Sequence, residues 1–112
     1  SMLRKTARSR AGKSIPFTFD EDGFLVESKM WTKSVSRTIA ELDGIELTHE
    51  HLAIIYYLRE HYLSYGALPP VSQTCRTLGM GKEAVQRLFG GCREAWRIAG
   101  LPNPGIEALS YM

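Results

Sequence analysis

The chain has 112 residues, a length typical of one compact domain. An apolar share of 44% and a charged share of 23% exclude wholesale disorder, and two cysteines are too few for a disulfide-stapled scaffold. No run approaches the roughly 18 consecutive apolar residues of a membrane span, and no apolar segment typical of a secretory signal follows the basic start. The sequence therefore predicts a cytoplasmic protein with no membrane contact.

Charge is unevenly distributed behind the net value of +2. Residues 1–13 carry five bases and no acid, whereas residues 14–67 carry five more acids than bases. Because the basic start lacks helical or strand periodicity, we expect residues 1–13 to form a flexible basic arm. Such an arm can contact nucleic acid or simply increase solubility.

The strongest strand signal lies in residues 15–27. Ile15, Phe17 and Phe19 alternate with other residues, and a second apolar run follows at residues 24–26. Asp-Glu-Asp-Gly between the two runs supplies turn-forming residues. The pattern predicts an N-terminal β-hairpin, which must pack on helices because two isolated strands are marginally stable.

Five helices are predicted in the rest of the chain. Apolar residues at helical spacing indicate helices over residues 31–42 and 48–65, and Thr48 is a suitable N-cap for the second. That second helix is apolar around much of its circumference, which is typical of a central helix. Prolines and glycines delimit three shorter helices, at about residues 70–78, 81–89 and 92–99. Pro102, Pro104 and Gly105 predict an extended C-terminal arm that is not helical.

The segment 71–88 has the spacing of a helix-turn-helix. Cys75 is small where two helices would cross, Gly79 permits a left-handed turn, and Val85 would anchor the second helix in the core. The expected fold class is mainly α: an orthogonal helical bundle with a helix-turn-helix-like portion and an N-terminal β-hairpin.

A DNA reader would present the outer face of that second helix to the major groove. Lys82 and Arg87 could then contact phosphates, and Gln86 could read an adenine edge. The further basic residues Arg93 and Arg97 extend this possible nucleic-acid or partner surface. The alternative is a packing motif without DNA contact, which the mildly basic composition favours.

No metal, cofactor or enzyme signature is found. His49 and His51 point about 200° apart on a helix and therefore cannot share a metal, and Ala53 replaces the second histidine of the HExxH zinc motif. No catalytic constellation has a known spacing, so an enzyme is not predicted, although the point stays open.

The two cysteines have different settings. Cys75 is a small buried residue at the helix crossing. Cys92 opens a helix beside Arg93, and a helix N-terminus and a nearby cation both favour the thiolate, which makes Cys92 a possible redox thiol. The alternative is an unreactive residue at a helix start.

A series of motifs carries a family resemblance: FDEDGFLVES, then Trp31, IAELDGIELTHEHLAIIYYLREHYLSYGALPPV, Leu88-Phe89 and IAGLPNP. Over roughly residues 15–105 the chain resembles the DsrC/TusE family of sulfur-relay proteins, which includes the gamma subunit-like partner of dissimilatory sulfite reductase. The resemblance implies a single DsrC-like domain at 14–100 and a C-terminal arm at 101–112. It also implies a protein partner in a sulfur-relay or sulfite-reductase system.

The resemblance places two carrier cysteines at positions where this chain has other residues. The upstream position is held by Trp96, and the C-terminal position falls at about Glu107. Because a persulfide requires a thiol, neither residue can carry sulfur. The resemblance therefore implies a non-catalytic binding or regulatory protein of sulfur metabolism. A helix-turn-helix DNA-binding regulator and an atypical persulfide carrier using Cys92 are the alternatives. Because the C-terminal arm is apolar, we expect it to fold over Cys92.

Overall fold

The computed structural model describes residues 5–8 and 14–112. Two strands, a short 3-10 helix and six α-helices follow one another in the described part of the chain. They are β1 (Lys5–Arg8), β2 (Ser14–Phe19), the 3-10 helix (Ser28–Met30), α1 (Lys33–Leu42), α2 (His49–Tyr65), α3 (Val71–Thr77), α4 (Ala84–Phe89), α5 (Cys92–Ile98) and α6 (Ile106–Leu109). The expected mainly α fold is confirmed. None of the helices described is long and apolar enough to cross a membrane.

The N-terminal strands pair differently from the predicted hairpin. β2 pairs antiparallel with the earlier strand β1, with Lys5 opposite Phe19 and Thr6 opposite Thr18. After the Asp-Glu-Asp-Gly turn, the predicted second strand is reduced to one bridge between Phe19 and Leu25. The main hairpin therefore lies one strand earlier in the chain than the apolar pattern predicted.

Regular structure in the basic arm is a second difference from the sequence prediction. We expected residues 1–13 to lack it, and residues 5–8 form β1. The reason is that strand pairing uses backbone N–H and C=O groups, so a polar segment can pair with β2 without an apolar alternation of its own. The other residues of the predicted arm lie outside the described part, apart from this strand.

The five predicted helices are confirmed within a few residues of their expected bounds, and α2 is central. It contacts α3, α4 and α5. Ile54 and Ile55 are fully buried, and Leu58 is nearly so. Thr48 caps the helix as predicted, since its hydroxyl accepts a hydrogen bond from the His51 backbone N–H. The wide apolar surface of α2 correctly indicated its place in the core.

The predicted helix-turn-helix shape is present. Cys75 is 1% exposed at the crossing, Gly79 adopts the left-handed φ of +68°, and Val85 is buried. The second helix begins later than predicted, however, because α4 starts at Ala84. Lys82 therefore lies in the turn and not on the helix that a DNA reader would insert into the groove.

The C-terminal arm contains a one-turn helix where an extended strip was predicted. α6 spans Ile106–Leu109 and begins after Gly105, whose carbonyl accepts a hydrogen bond from the Leu109 N–H at 3.0 Å. Pro102 and Pro104 precede its first turn, so their missing N–H groups interrupt no helical hydrogen bond. The prolines exclude a helix only for the residues before them.

Candidate functional site

A groove of about 710 Å³ separates the α2–α3 connection from the C-terminal segment. Tyr62 and Pro69 contribute to one wall, and Tyr111 contributes to the other. Cys92, Trp96 and Glu107 also line this groove. The structure thus brings together the half-buried cysteine and both positions at which the sequence resemblance places a carrier thiol. This groove is the candidate functional site.

Trp96 is a buried anchor at the edge of the groove. Its side chain is 1% exposed, and its indole N–H donates to the Pro102 carbonyl at 2.8 Å. The ring of Tyr62 meets it edge-on, with ring centroids 5.6 Å apart. Such edge-to-face pairs are favourable, and the indole donor is satisfied, so the site is built around a large side chain at this position.

The Cys92 thiol is less reactive than its place in the sequence suggested. Burial raises its pKa, and the negative charge of Glu94 raises it further. The expected cation is engaged elsewhere, since Arg93 donates to the Asp22 carbonyl at 3.2 Å and lies over the ring of Phe24. The prediction that the helix start and Arg93 favour the thiolate is therefore wrong.

The C-terminal segment is tied to the turn that follows β2. The Asn103 side-chain amide donates to Asp20 at 3.1 Å and to Asp22 at 2.8 Å. Farther along, Leu109 packs against the core, whereas Ile106 on α6 is 89% exposed. The expected folding of the arm over the region of Cys92 is thus partial: the segment forms one wall of the groove and leaves some apolar side chains in water.

Sequence reasoning missed the polar residues that hold the site in place. Asp20 and Asp22 looked like turn residues only, and their contact with Asn103 spans more than 80 residues of sequence, so no local signal could reveal it. Arg59 was also missed, although a lone arginine on the apolar α2 was a usable signal. Its guanidinium donates to the carbonyls of Ala99 and Gly100, which closes the end of α5.

The five residues of the predicted nucleic-acid surface do not share one basic face. Lys82 and Gln86 are exposed, but Arg87 lies 3.5 Å from Glu50. Arg97 forms an ion pair with Asp43 across the fold, and Arg93 bonds to the backbone as described above. Three of the five cationic or polar groups are thus committed to contacts within the protein.

His51 has a structural setting. It is 6% exposed, its Nδ1 accepts from the Thr48 N–H at 3.0 Å, and its Nε2 lies 2.8 Å from the Leu88 carbonyl. The ring therefore joins the start of α2 to the end of α4. Within residues 5–8 and 14–112, the structure holds no group of three or more histidine, cysteine or acidic side chains suited to a metal ion.

Comparisons with known proteins agree with this architecture. A family model described as "DsrC like protein" matches residues 11–106. The sulfurtransferase TusE homolog of Haemophilus influenzae is 36% identical, with 76% of this chain and 86% of the relative covered. The sulfurtransferase TusE of Escherichia coli is 33% identical over the same shares.

Solved structures give the same result. The oxidized gamma subunit of the dissimilatory sulfite reductase (DsrC) from Archaeoglobus fulgidus superposes with a TM-score of 0.73 at 31% identity, covering 91% of this chain and 98% of that one. DsrC of Allochromatium vinosum gives 0.69 at 32% identity, with 93% and 98% covered. Sequence and structure together show that this chain belongs to the DsrC-like family.

Proposed function

We propose that this protein acts in cytoplasmic sulfur relay or sulfur metabolism by binding a protein partner, and that it does not itself carry sulfur. The relatives support the setting, because they are named sulfurtransferase TusE or the gamma subunit of dissimilatory sulfite reductase. The DsrC-like shape is retained over most of the chain, so a surface that recognises this shape has the same framework to bind.

The observation that carries the proposal is the burial of Trp96. The sequence resemblance puts the upstream carrier cysteine at this position, and here a 1% exposed indole is hydrogen-bonded to Pro102 and packed on Tyr62. The second carrier position falls on Glu107, an exposed carboxylate on α6. A carboxylate and an indole have no sulfur nucleophile, so neither position supports persulfide chemistry.

The two cysteines that are present also favour a non-carrier. Cys75 is 1% exposed at the helix crossing and cannot meet a donor without unfolding. Cys92 is half-buried, and its raised pKa keeps it as the neutral thiol at neutral pH. Because the thiolate is the nucleophile in persulfide transfer, such a thiol attacks slowly.

Incubation with a persulfide donor, followed by intact-mass measurement, tests the absence of carrier activity. In the transfer, a cysteine thiolate attacks the outer sulfur of the donor, the donor S–S bond breaks, and the donor leaves as its thiolate. We expect the wild-type protein to gain less than one sulfur per chain under conditions that load a TusE relative fully. We expect the little that is gained to increase with pH, because the raised pKa of Cys92 leaves more thiolate only in alkaline solution.

Two variants sharpen this experiment. Glu107→Cys places a thiol at the exposed C-terminal position, and we expect it to gain one sulfur where the wild type does not. Cys92→Ser identifies the origin of any background. Stoichiometric loading of the wild type that disappears in Cys92→Ser would make Cys92 an atypical carrier and overturn the proposal.

Partner binding is tested by competition on dissimilatory sulfite reductase. We expect this protein to displace a fluorescently labelled DsrC relative from the purified reductase in a concentration-dependent manner, because the two share the fold. A matched binding assay with a TusE relative as competitor distinguishes the two branches of the family. Failure to displace either relative from its partner would contradict a role based on the shared shape.

DNA binding remains the second candidate, and the geometry favours it less. α4 has six residues, and Lys82 lies before it in the turn. Arg87 is near Glu50, which places an acidic side chain beside the proposed phosphate contact. We therefore interpret the helix-turn-helix shape as a packing arrangement that supports α2 and α5.

A further inference from the structure

The turn after β2 presents two ordered carboxylates to the C-terminal segment. One carboxylate oxygen of Asp20 accepts the backbone N–H groups of Asp22 and Phe24, at 2.9 and 3.0 Å. The other oxygen of Asp20 and an oxygen of Asp22 both accept from the amide of Asn103. Because the turn orders Asp20 by its own backbone, the acceptor pair is in place before Asn103 reaches it.

Asn103 stands at the start of the segment that forms the outer wall of the groove. Its carbonyl oxygen accepts the Gly105 N–H at 2.9 Å, which shapes the turn into α6. Beyond it, Pro104, Ala108 and Tyr111 line the groove opposite α2. One side chain therefore fixes both the local shape of this wall and its attachment to the rest of the molecule.

The remainder of the wall is weakly held. α6 has four residues, and helices of this length are unstable without tertiary contacts. Ile106 is 89% exposed and Tyr111 is 71% exposed, so much of its apolar surface gains nothing from the closed position. Leu109 and Met112 pack against the core as half-buried residues. A segment with so few buried contacts can open locally without unfolding the helical core.

We propose that residues 103–112 form a hinged wall of the groove, and that the contact of Asn103 with Asp20 and Asp22 is the latch that keeps it closed beside Cys92 and Trp96. The wall opens about Pro102, whose carbonyl stays bonded to the Trp96 indole. Opening widens the groove and uncovers the thiol. The inference concerns accessibility of the groove, so it stands or falls separately from the proposed sulfur-relay role.

Thiol labelling under native conditions measures this opening directly. The whole protein is treated with the uncharged reagent N-ethylmaleimide, and the modification of each cysteine is followed by peptide mass. Cys92 reports opening of the wall, whereas Cys75, 1% exposed in the core, reports global unfolding. Each rate is divided by the rate of the same cysteine in denatured protein. We expect Asn103→Ala to accelerate labelling of Cys92 about fivefold and to leave Cys75 unchanged, which is the effect of losing about 1 kcal/mol of hydrogen bonding.

Variants of the acidic turn provide matched controls. Asp22→Ala removes one acceptor of the latch and is expected to accelerate Cys92 labelling, whereas Glu21→Ala removes an exposed acid from the same turn and is expected to have no effect. Asn103→Asp places a third carboxylate against the pair and should give the largest increase. Equal Cys92 rates in wild type and Asn103→Ala would overturn the latch. A parallel increase at Cys75 would also overturn it, because the effect would then be global destabilisation.

Discussion

Replacement of Gly100 by alanine is expected to lower the free energy of unfolding by about 4 kcal/mol, since two penalties add at this position. Gly100 has a φ of +71°, a region that residues with a side chain avoid. A Cβ built on it would also lie 2.4 Å from Cδ1 of Trp31. Chemical denaturation of the wild type and variant measures the difference.

Trp31 cannot move aside to relieve this clash. The guanidinium of Arg59 lies over its ring, 4.1 Å from the centroid, and the ring of Tyr56 meets it edge-on. Its indole N–H donates to the Ser36 hydroxyl at 2.7 Å. Insertion of a methyl group into a site fixed on several sides forces a shift of the backbone, which is the costly form of overpacking.

Gly66→Ala is the matched control for this prediction. Gly66 has a similar φ of +67°, and a Cβ there would meet nothing within 4 Å. It should therefore show the conformational penalty alone, about 1 kcal/mol. We also expect Trp31→Ala and Gly100→Ala to be less than additive when combined, because the first removes the atoms that the second would strike. Equal losses in Gly66→Ala and Gly100→Ala would contradict the steric argument.

Replacement of Trp96 by alanine is expected to lower the free energy of unfolding by about 4 kcal/mol, within the usual range for a fully buried aromatic side chain. The substitution leaves a cavity between α5 and Tyr62 and deprives the Pro102 carbonyl of its donor. Equilibrium unfolding monitored by circular dichroism measures the loss, which avoids dependence on tryptophan fluorescence.

Two further variants separate the contributions at position 96. Trp96→Phe keeps an aromatic ring and loses the indole N–H, so we expect a smaller loss than in the alanine variant. Trp96→Cys supplies the residue that the family resemblance expects, and we predict a loss near that of alanine, because this core is built for the larger side chain. A Trp96→Cys protein as stable as the wild type would show that the groove tolerates a carrier cysteine, and would weaken the proposal of a non-carrier.

The helical framework was predictable from the sequence because its signals are local. The apolar circumference of the segment 48–65 indicated the central helix, and Thr48 marked its start. Cys75, Gly79 and Val85 correctly indicated a tight helix crossing. Each of these inferences depends on periodicity or on a backbone preference within one element, and such preferences persist in the folded protein.

The N-terminal and C-terminal segments were predicted less well because their structure depends on partners far away in the chain. β1 has no strand pattern of its own and forms by pairing with β2. α6 follows two prolines and is supported by the packing of Leu109 on the core. Local composition could not indicate either element, since the interactions that stabilise them are not local.

The sequence alone also determined where the carrier thiols of the resembling family are replaced, at Trp96 and Glu107. Only the tertiary structure decided the chemistry of the groove that these positions share with Cys92. It placed Arg93 against Asp22 and Phe24 and buried the thiol, which reversed the expected direction of its pKa. The physical reason is that charge and solvation at a site depend on every group that surrounds it in space, whereas the order of residues fixes only its neighbours along the chain.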